Sequence, residues 1–187
     1  MRTTARTWPI AIRQATTADA ALFTTIAQSA FIDTFSRDNT PEDMAQYCAE
    51  AFGEAIQERE LADGRTIVLM AERDDDVVGY AMLRAGDVAD CVADRNAMEI
   101  TRLYSVARVI GTGVGAALMQ RCLEAAAERG HRSVWLGVWE HNPRAIAFYE
   151  RWGFVDVGEK PFVLGTDRQT DRVMVRVAAR ADAGGAP

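Results

Sequence analysis

The stretch Ile110-Gly111-Thr112-Gly113-Val114-Gly115-Ala116 decides how this chain is read. A β-rich segment precedes it and an amphipathic helical pattern follows. Three glycines at alternate positions let a backbone come close to a ligand and expose several N–H groups to it. A helix opening directly from such a loop aims the positive end of its dipole at the same place, which makes a phosphate cradle. Glycines before a helix also make plain turns, so the loop by itself leaves both readings open. The flanking sequence separates them.

Working outward, Met98 to Ser105 reads as a strand feeding the loop, and Gly113 to Arg129 as the helix leaving it. Leu118, Cys122, Ala125 and Ala126 form the apolar stripe of that helix, and Gly130 is a natural stop. Val134 to Trp139 is apolar on both faces, as expected of a central strand covered on each side. Asn142-Pro143 opens a further helix through Arg151, since Asn caps and Pro suits the first turn. Two closing β segments are expected: one around Phe154 to Val157 with Phe162 to Leu164, and one over Arg172 to Val177.

Toward the N-terminus, Ile10 to Gln14 alternates as a strand does. Thr17 offers an N-cap to a helix reaching Phe35, with Leu22, Ile26, Ala30 and Phe31 at helical spacing. Pro41-Glu42-Asp43 has the form of a helix first turn, carrying Met44, Tyr47 and Phe52 inward. Glu54 to Leu61 predicts a further helix. Thr66 to Glu72 and Val77 to Leu83 predict a hairpin through Asp74-Asp75-Asp76, a solvated turn rather than a metal site. Residues 85 to 95 read as a loop. The order is mixed α+β, with one domain over residues 1–178 and a small, polar, disordered tail over residues 179–187.

Composition sets the outer bounds. The 187 residues suit one domain able to bury a core without staples. No apolar stretch approaches a membrane span, and the basic start, Met1-Arg2-Thr3-Thr4-Ala5-Arg6, lacks the apolar run of a secretory signal. A cytoplasmic protein is expected, with no membrane partner. The net charge of −6, without any block of Lys or Arg, argues against nucleic acid. Cys48, Cys91 and Cys122 lack metal-ligand spacing, and Cys122 falls on a core stripe. His131 and His141 each stand alone, so no metal is expected and a His-dependent nucleophile is disfavoured.

The series strand, glycine loop, helix, strand, then a helix with Asn142 at its start and Tyr149 further along resembles the GNAT superfamily of acyl-CoA-dependent N-acyltransferases. The resemblance runs from about Ile10 to Val177 and is densest from Glu99 to Arg176. Glu99-Ile100-Thr101-Arg102-Leu103-Tyr104, Leu136-Gly137-Val138-Trp139-Glu140-His141-Asn142, and Ala145-Ile146-Ala147-Phe148-Tyr149-Glu150-Arg151-Trp152-Gly153-Phe154 are similar to the PaiA-type branch. So are Asp33-Thr34-Phe35, Asn39-Thr40-Pro41-Glu42-Asp43-Met44, Phe162-Val163-Leu164-Gly165-Thr166-Asp167 and Gln169-Thr170-Asp171. That branch is described as spermine/spermidine N-acetyltransferases.

The resemblance implies a twisted, mostly antiparallel sheet flanked by helices, with two central strands splayed apart. It implies acetyl-CoA as co-substrate, held by Leu103, Tyr104 and Ser105 along a strand edge and by Ile110, Gly111, Thr112, Gly113, Val114, Gly115 and Ala116 at its pyrophosphate. Asn142 would contact the pantetheine arm or thiol, or serve simply as a helix cap. Tyr149 would protonate the departing thiolate; on spacing alone it is equally a core aromatic. Glu99 falls where the superfamily's histone acetyltransferases carry a general base, against the alternative of a salt bridge to Arg102 or another arginine. Trp139 is either acceptor-pocket wall or core. The implied reaction is direct transfer of acetyl to a primary amine, most simply a polyamine. A protein, peptide or aminoglycoside-like amine, or a non-catalytic acetyl-CoA sensor, is the alternative, and a homodimer stays open. Three positions depart from the pattern: Ile110 replaces the usual Gln or Arg, Ala107 a frequent proline, and Ser105 an aliphatic. Arg108 is the candidate substitute for the missing donor at Ile110.

Overall fold

The computed structural model describes residues 9–177, so the basic start and the small polar tail lie outside the described residues. Seven strands form one sheet in the order β1-β2-β3-β4-β5-β7-β6. They are β1 (Ala11–Gln14), β2 (Thr66–Arg73), β3 (Asp76–Arg84), β4 (Met98–Ser105), β5 (Ser133–Trp139), β6 (Val155–Leu164) and β7 (Asp167–Val177). Five helices cover it: α1 (Ala20–Phe35), α2 (Pro41–Ala51), α3 (Glu54–Ala62), α4 (Val114–Glu128) and α5 (Pro143–Arg151). No helix among the described residues is long and apolar enough to cross a membrane.

Alternation along the strands explains the two layers of helix. Ile67, Leu69 and Ala71 of β2 pack with Leu118, Met119 and Cys122 of α4. Val68 and Met70, between them in sequence, pack with Phe23, Ala27 and Phe31 of α1 and with Met44 and Cys48 of α2. Side chains two apart share a face, so a strand this apolar must be covered on both sides. A third cluster joins Val88, Val92 and Ala97 of the loop before β4 to Trp135, Val173 and Val175. Burial lifts the Cys122 thiol to about 12, which keeps it inert as core.

Three expectations need correction. The turn into α1 begins one residue early: a single helical turn, Thr17–Asp19, is capped by Thr16, whose N–H donates to the Asp19 carboxylate at 2.8 Å. Ile26, Ala30 and Phe31 of α1 are buried as expected, with Phe23 and Ala27 beside them, and only Leu22 is turned outward, 44% exposed. The segment expected around Phe154 to Val157 with Phe162 to Leu164 is a strand, β6, that continues through residues 158–161, and β7 starts at Asp167, five residues before Arg172. Asp156, Glu159, Lys160 and Pro161 broke the apolar pattern that sequence reading needs. Pro161 is tolerated because β6 is an edge strand with an open side.

The sheet is antiparallel except between β4 and β5, which pair in parallel at only Met98–Val134 and Glu99–Trp135. Beyond Glu99 the two strands part. On its other side β4 stays paired to β3 as far as Ser105 opposite Gly79. A one-residue bulge at Thr101 separates the pairs Leu83–Ile100 and Met82–Arg102, and a bulge adds twist to its strand.

Gly79 makes the close approach of β3 to the end of β4 possible. A methyl at that position would stand 2.8 Å from the Tyr104 carbonyl oxygen and 3.1 Å from Val114 Cγ1. Gly79→Ala is therefore expected to cost about 1–3 kcal/mol by overpacking, a fall in Tm of roughly 2–10 °C for a chain of this size. Thermal unfolding followed by circular dichroism checks it; an unchanged Tm would show that β3 and β4 relax apart here without cost.

Candidate functional site

The gap between β4 and β5 opens a cavity of about 510 Å3, within the range of small-ligand sites. Leu103, Tyr104 and Ser105 form one wall, with their backbone edge unpaired on the β5 side. Gly137, Val138 and Trp139 form the other. An unpaired strand edge invites an amide-bearing chain to lie along it as an added strand.

The glycine loop closes one end. A short turn, Ala107–Val109, leads into Gly111 at φ 79° and Gly113 at φ 96°, conformations that favour glycine. Gly113 is the N-cap of α4 and supplies no side chain to its first turn. The N–H groups of Val114, Gly115 and Ala116 have no intrahelical carbonyl to bond, so they are available to an anion. Ile110, Gly111, Gly113, Gly115 and Ala116 line the cavity. Two amides of the loop are already committed: Ile110 N–H bonds Ala107 O at 3.2 Å and Thr112 N–H bonds Val109 O at 3.1 Å. Thr112 does not line the cavity, and Val114 buries its side chain against α4's core. Arg108 points away, with its guanidinium 3.5 Å from Asp76, so it does not replace the donor missing at Ile110.

On the helical side, Asn142 caps α5, its side-chain oxygen accepting from Ala145 N–H at 3.1 Å. Asn142 also lines the cavity, so both roles read from the sequence have a place. Tyr149, one turn from the end of α5, is 8% exposed, packs edge-on against Phe148 and Phe154, and lines the same cavity. Burial pushes its phenol above the ordinary value, so the hydroxyl holds its proton at neutral pH.

The opposite end is walled by aromatic rings. Phe31 stacks on Tyr47 at 4.5 Å, Tyr47 meets Phe162 at 5.6 Å, and Phe35 meets Trp139 at 6.1 Å. Trp139 is thus a cavity wall. Arg102 is neutralised by Glu60 at 2.8 Å, which removes it as a partner for Glu99. Glu99 instead pairs with Lys160 at 3.5 Å, does not line the cavity, and has its carboxyl raised by burial against the opposing pull of Lys160.

The carboxylate that does line the cavity is Asp171. The motif containing Asp171 implies no role for it from sequence alone. A signal was present: Asp171, Val173 and Val175 alternate along one strand, and an acid in register with two core valines is a buried acid.

A splayed mixed sheet, a strand edge open to an amide chain and a glycine loop at a helix N-terminus together define an acyl-CoA-binding transferase. The acetyltransferase (GNAT) family model matches residues 27–154, and the chain belongs to that family. It is an acetyl-CoA-dependent N-acetyltransferase. An uncharacterized N-acetyltransferase of Lactobacillus delbrueckii subsp. lactis is 36% identical over 162 residues, 87% of this chain and 94% of that one. Among solved structures, the PaiA N-acetyltransferase of Thermoplasma acidophilum in complex with coenzyme A superposes with a TM-score of 0.73 at 18% identity, covering 90% of this chain and 99% of that one. The putative acetyltransferase yncA of Salmonella typhimurium, with its cofactor acetyl-CoA, gives 0.66 at 24% identity, covering 96% and 99%.

Gly113→Ala forces a methyl-bearing residue into the left-handed region, a cost of about 1–2 kcal/mol, and turns the α4 amides away from the cradle. Acetyl-CoA binding is expected to weaken by roughly fivefold, the size of a helix-terminus anion contact of about 1 kcal/mol. Titration calorimetry at low and high salt checks it; wild-type affinity in the variant would mean that the loop does not hold the pyrophosphate.

Proposed function

We propose that this chain transfers the acetyl group of acetyl-CoA directly to a primary amine, with no covalent enzyme intermediate and with Tyr149 as the acid that protonates the thiolate. One observation carries the reading: a single cavity runs from the α4 amides, past Tyr149, to a carboxylate among aromatic rings. The amide end suits a pyrophosphate. The aromatic end suits an alkylammonium, since ring faces attract cations and a carboxylate fixes one. A backbone N–H on the open edge of β4 would stabilise the oxyanion, a contact worth about 10²–10³ in rate.

A polyamine such as spermidine or spermine is the acceptor implied by the PaiA-like strings, and the PaiA structure among the fold neighbours is consistent with it. Asp171 would take one ammonium, and Tyr47, Phe162 and Trp139 offer ring faces to the rest of the chain. The alternative acceptors are a protein or peptide amine and an aminoglycoside-like amine.

Thiol release from acetyl-CoA with spermidine, spermine, a lysine peptide and an aminoglycoside separates these readings. Selective release with the polyamines is the expected result. Release with another amine keeps the mechanism and replaces the acceptor; acetyl-CoA binding without release would place the acceptor outside this panel. Tyr149→Phe is expected to lower kcat by about 100-fold while acetyl-CoA affinity holds. That is the low end for a general acid, because a thiol of pKa about 8.5 leaves readily. Equal loss of turnover and affinity would remove the acid role.

A further inference from the structure

Lys160 is the only lysine in a chain with twenty arginines. It belongs to the cluster of ionisable groups that reaches the cavity through Asp171. Its ammonium is 3.5 Å from Glu99 and stands over the Trp135 ring at 5.3 Å. It faces Asp171 across the β6–β7 ladder. Gly137 leaves the room for this arrangement: a methyl there would stand 2.5 Å from Lys160 Cε and 2.9 Å from Asp171 Oδ2. Registers put Glu99, Trp135, Gly137 and Asp171 on one face of the sheet, since Glu99 pairs with Trp135 and Trp139 with Asp171. Tyr149 packs in the cluster on the other face, with α4. The gap between β4 and β5 is where the two faces meet.

We infer that Asp171 is the catalytic base that takes the proton of the acceptor ammonium, and that the Lys160–Glu99 ion pair behind it is a positioning pair that acts on it through charge. The inference rests on the acetyl-transfer reading above. A primary ammonium has a pKa of about 10.4 and cannot attack until it loses a proton. Asp171 is 8% exposed and lines the cavity, whereas Glu99 is turned to Lys160 behind it. Burial pushes the Asp171 carboxyl up to about 6, with Lys160 pulling it down and Glu99 pushing it up. That places it nearer the working range of a general base than an exposed aspartate. Lys160, Glu99 and, from α2, Tyr47 are the ionisable groups that act on it or share its field. Lysine is suited to this place because its ammonium is a compact point charge that pairs with Glu99 in the room Gly137 leaves.

The proton account balances. The ammonium gives one proton to Asp171, and the neutral nitrogen attacks the thioester carbonyl carbon. As the C–S bond breaks, Tyr149 gives its proton to the thiolate. The nitrogen's second proton restores the Tyr149 hydroxyl through solvent, and Asp171 returns its proton to bulk. Each turnover yields the acetamide, CoA thiol and one released proton.

The test is the pH profile of kcat and kcat/KM for the wild type, Asp171→Asn, Glu99→Gln and Lys160→Met, with acetyl-CoA affinity measured on each to confirm an intact fold. The wild type should lose activity below about pH 6. Asp171→Asn should lower kcat about 100-fold near pH 7 with acetyl-CoA affinity unchanged, and the deficit should shrink to under tenfold at pH 10, where the free amine supplies itself. Lys160→Met should move the acidic limb to higher pH and Glu99→Gln to lower pH. A merely structural role would move neither limb. The inference is overturned if Asp171→Asn keeps wild-type kcat, if its deficit is equal at pH 7 and pH 10, or if Glu99→Gln alone loses the acidic limb. Absence of turnover by the wild type with every amine, despite acetyl-CoA binding, would remove the acetyl-transfer reading and this inference together.

Discussion

Two residue pairs, Met98 with Val134 and Glu99 with Trp135, are all that hold β4 to β5. Every functional feature of the molecule depends on how little that is. Strands side by side normally satisfy each other's backbone groups along their length. Here the bulge at Thr101 turns β4 toward β3 and away from β5, so six residues of β4 keep one bare edge. The sheet is then two half-sheets joined at one end, and the wedge between them is the cavity. A ligand with amides of its own completes the missing ladder, which ties cofactor recognition to the construction of the fold.

The wedge also sorts chemistry by face. α4 and α5 cover one side of the sheet, so the loop amides and Tyr149 meet a ligand from that side. α1 and α2 cover the other, and bring Phe31, Phe35 and Tyr47 around Asp171. A thioester lying in the gap would be reached by an acceptor from one face and release its thiol toward the other. In the proposed roles, Tyr149 as acid and Asp171 as base need not compete for one volume, and burial pushes both groups upward, one to stay protonated and one to approach neutrality.

The frame was legible wherever one periodicity dominated. Met98–Ser105 emerged with its predicted bounds, and α3, α4 and α5 fell within a residue or two. First-turn residues did much of this: Pro41 opens α2, and Asn142 accepts a backbone N–H in the first turn of α5. The loop's glycines were legible because positive φ leaves few alternatives. What failed was tertiary. Pro161 and the charges around it hid the continuity of β6, and the exposure of Leu22 follows from which neighbour of a helix residue finds the sheet. Arg102 and Glu99 sit three apart on one strand, yet the bulge between them and the arrival of Glu60 and Lys160 give each a different partner. No single-chain pattern predicts a partner 42 or 61 residues away. The weight given to Glu99 came from its position before the loop, while the acid that reaches the cavity, Asp171, arrives from the far end of the chain.

The scarcity of lysine bears on the enzyme's own survival. A protein that retains an activated thioester exposes its side-chain amines to that reagent for as long as it is bound. Arginine does not acylate under such conditions, because its guanidinium stays protonated. Twenty of the twenty-one basic side chains here are arginine, and the remaining amine is ion-paired with Glu99 beside a second carboxylate. The chain thus offers its cofactor no free lysine nucleophile, and the acetyl group is kept for amines that arrive from solution.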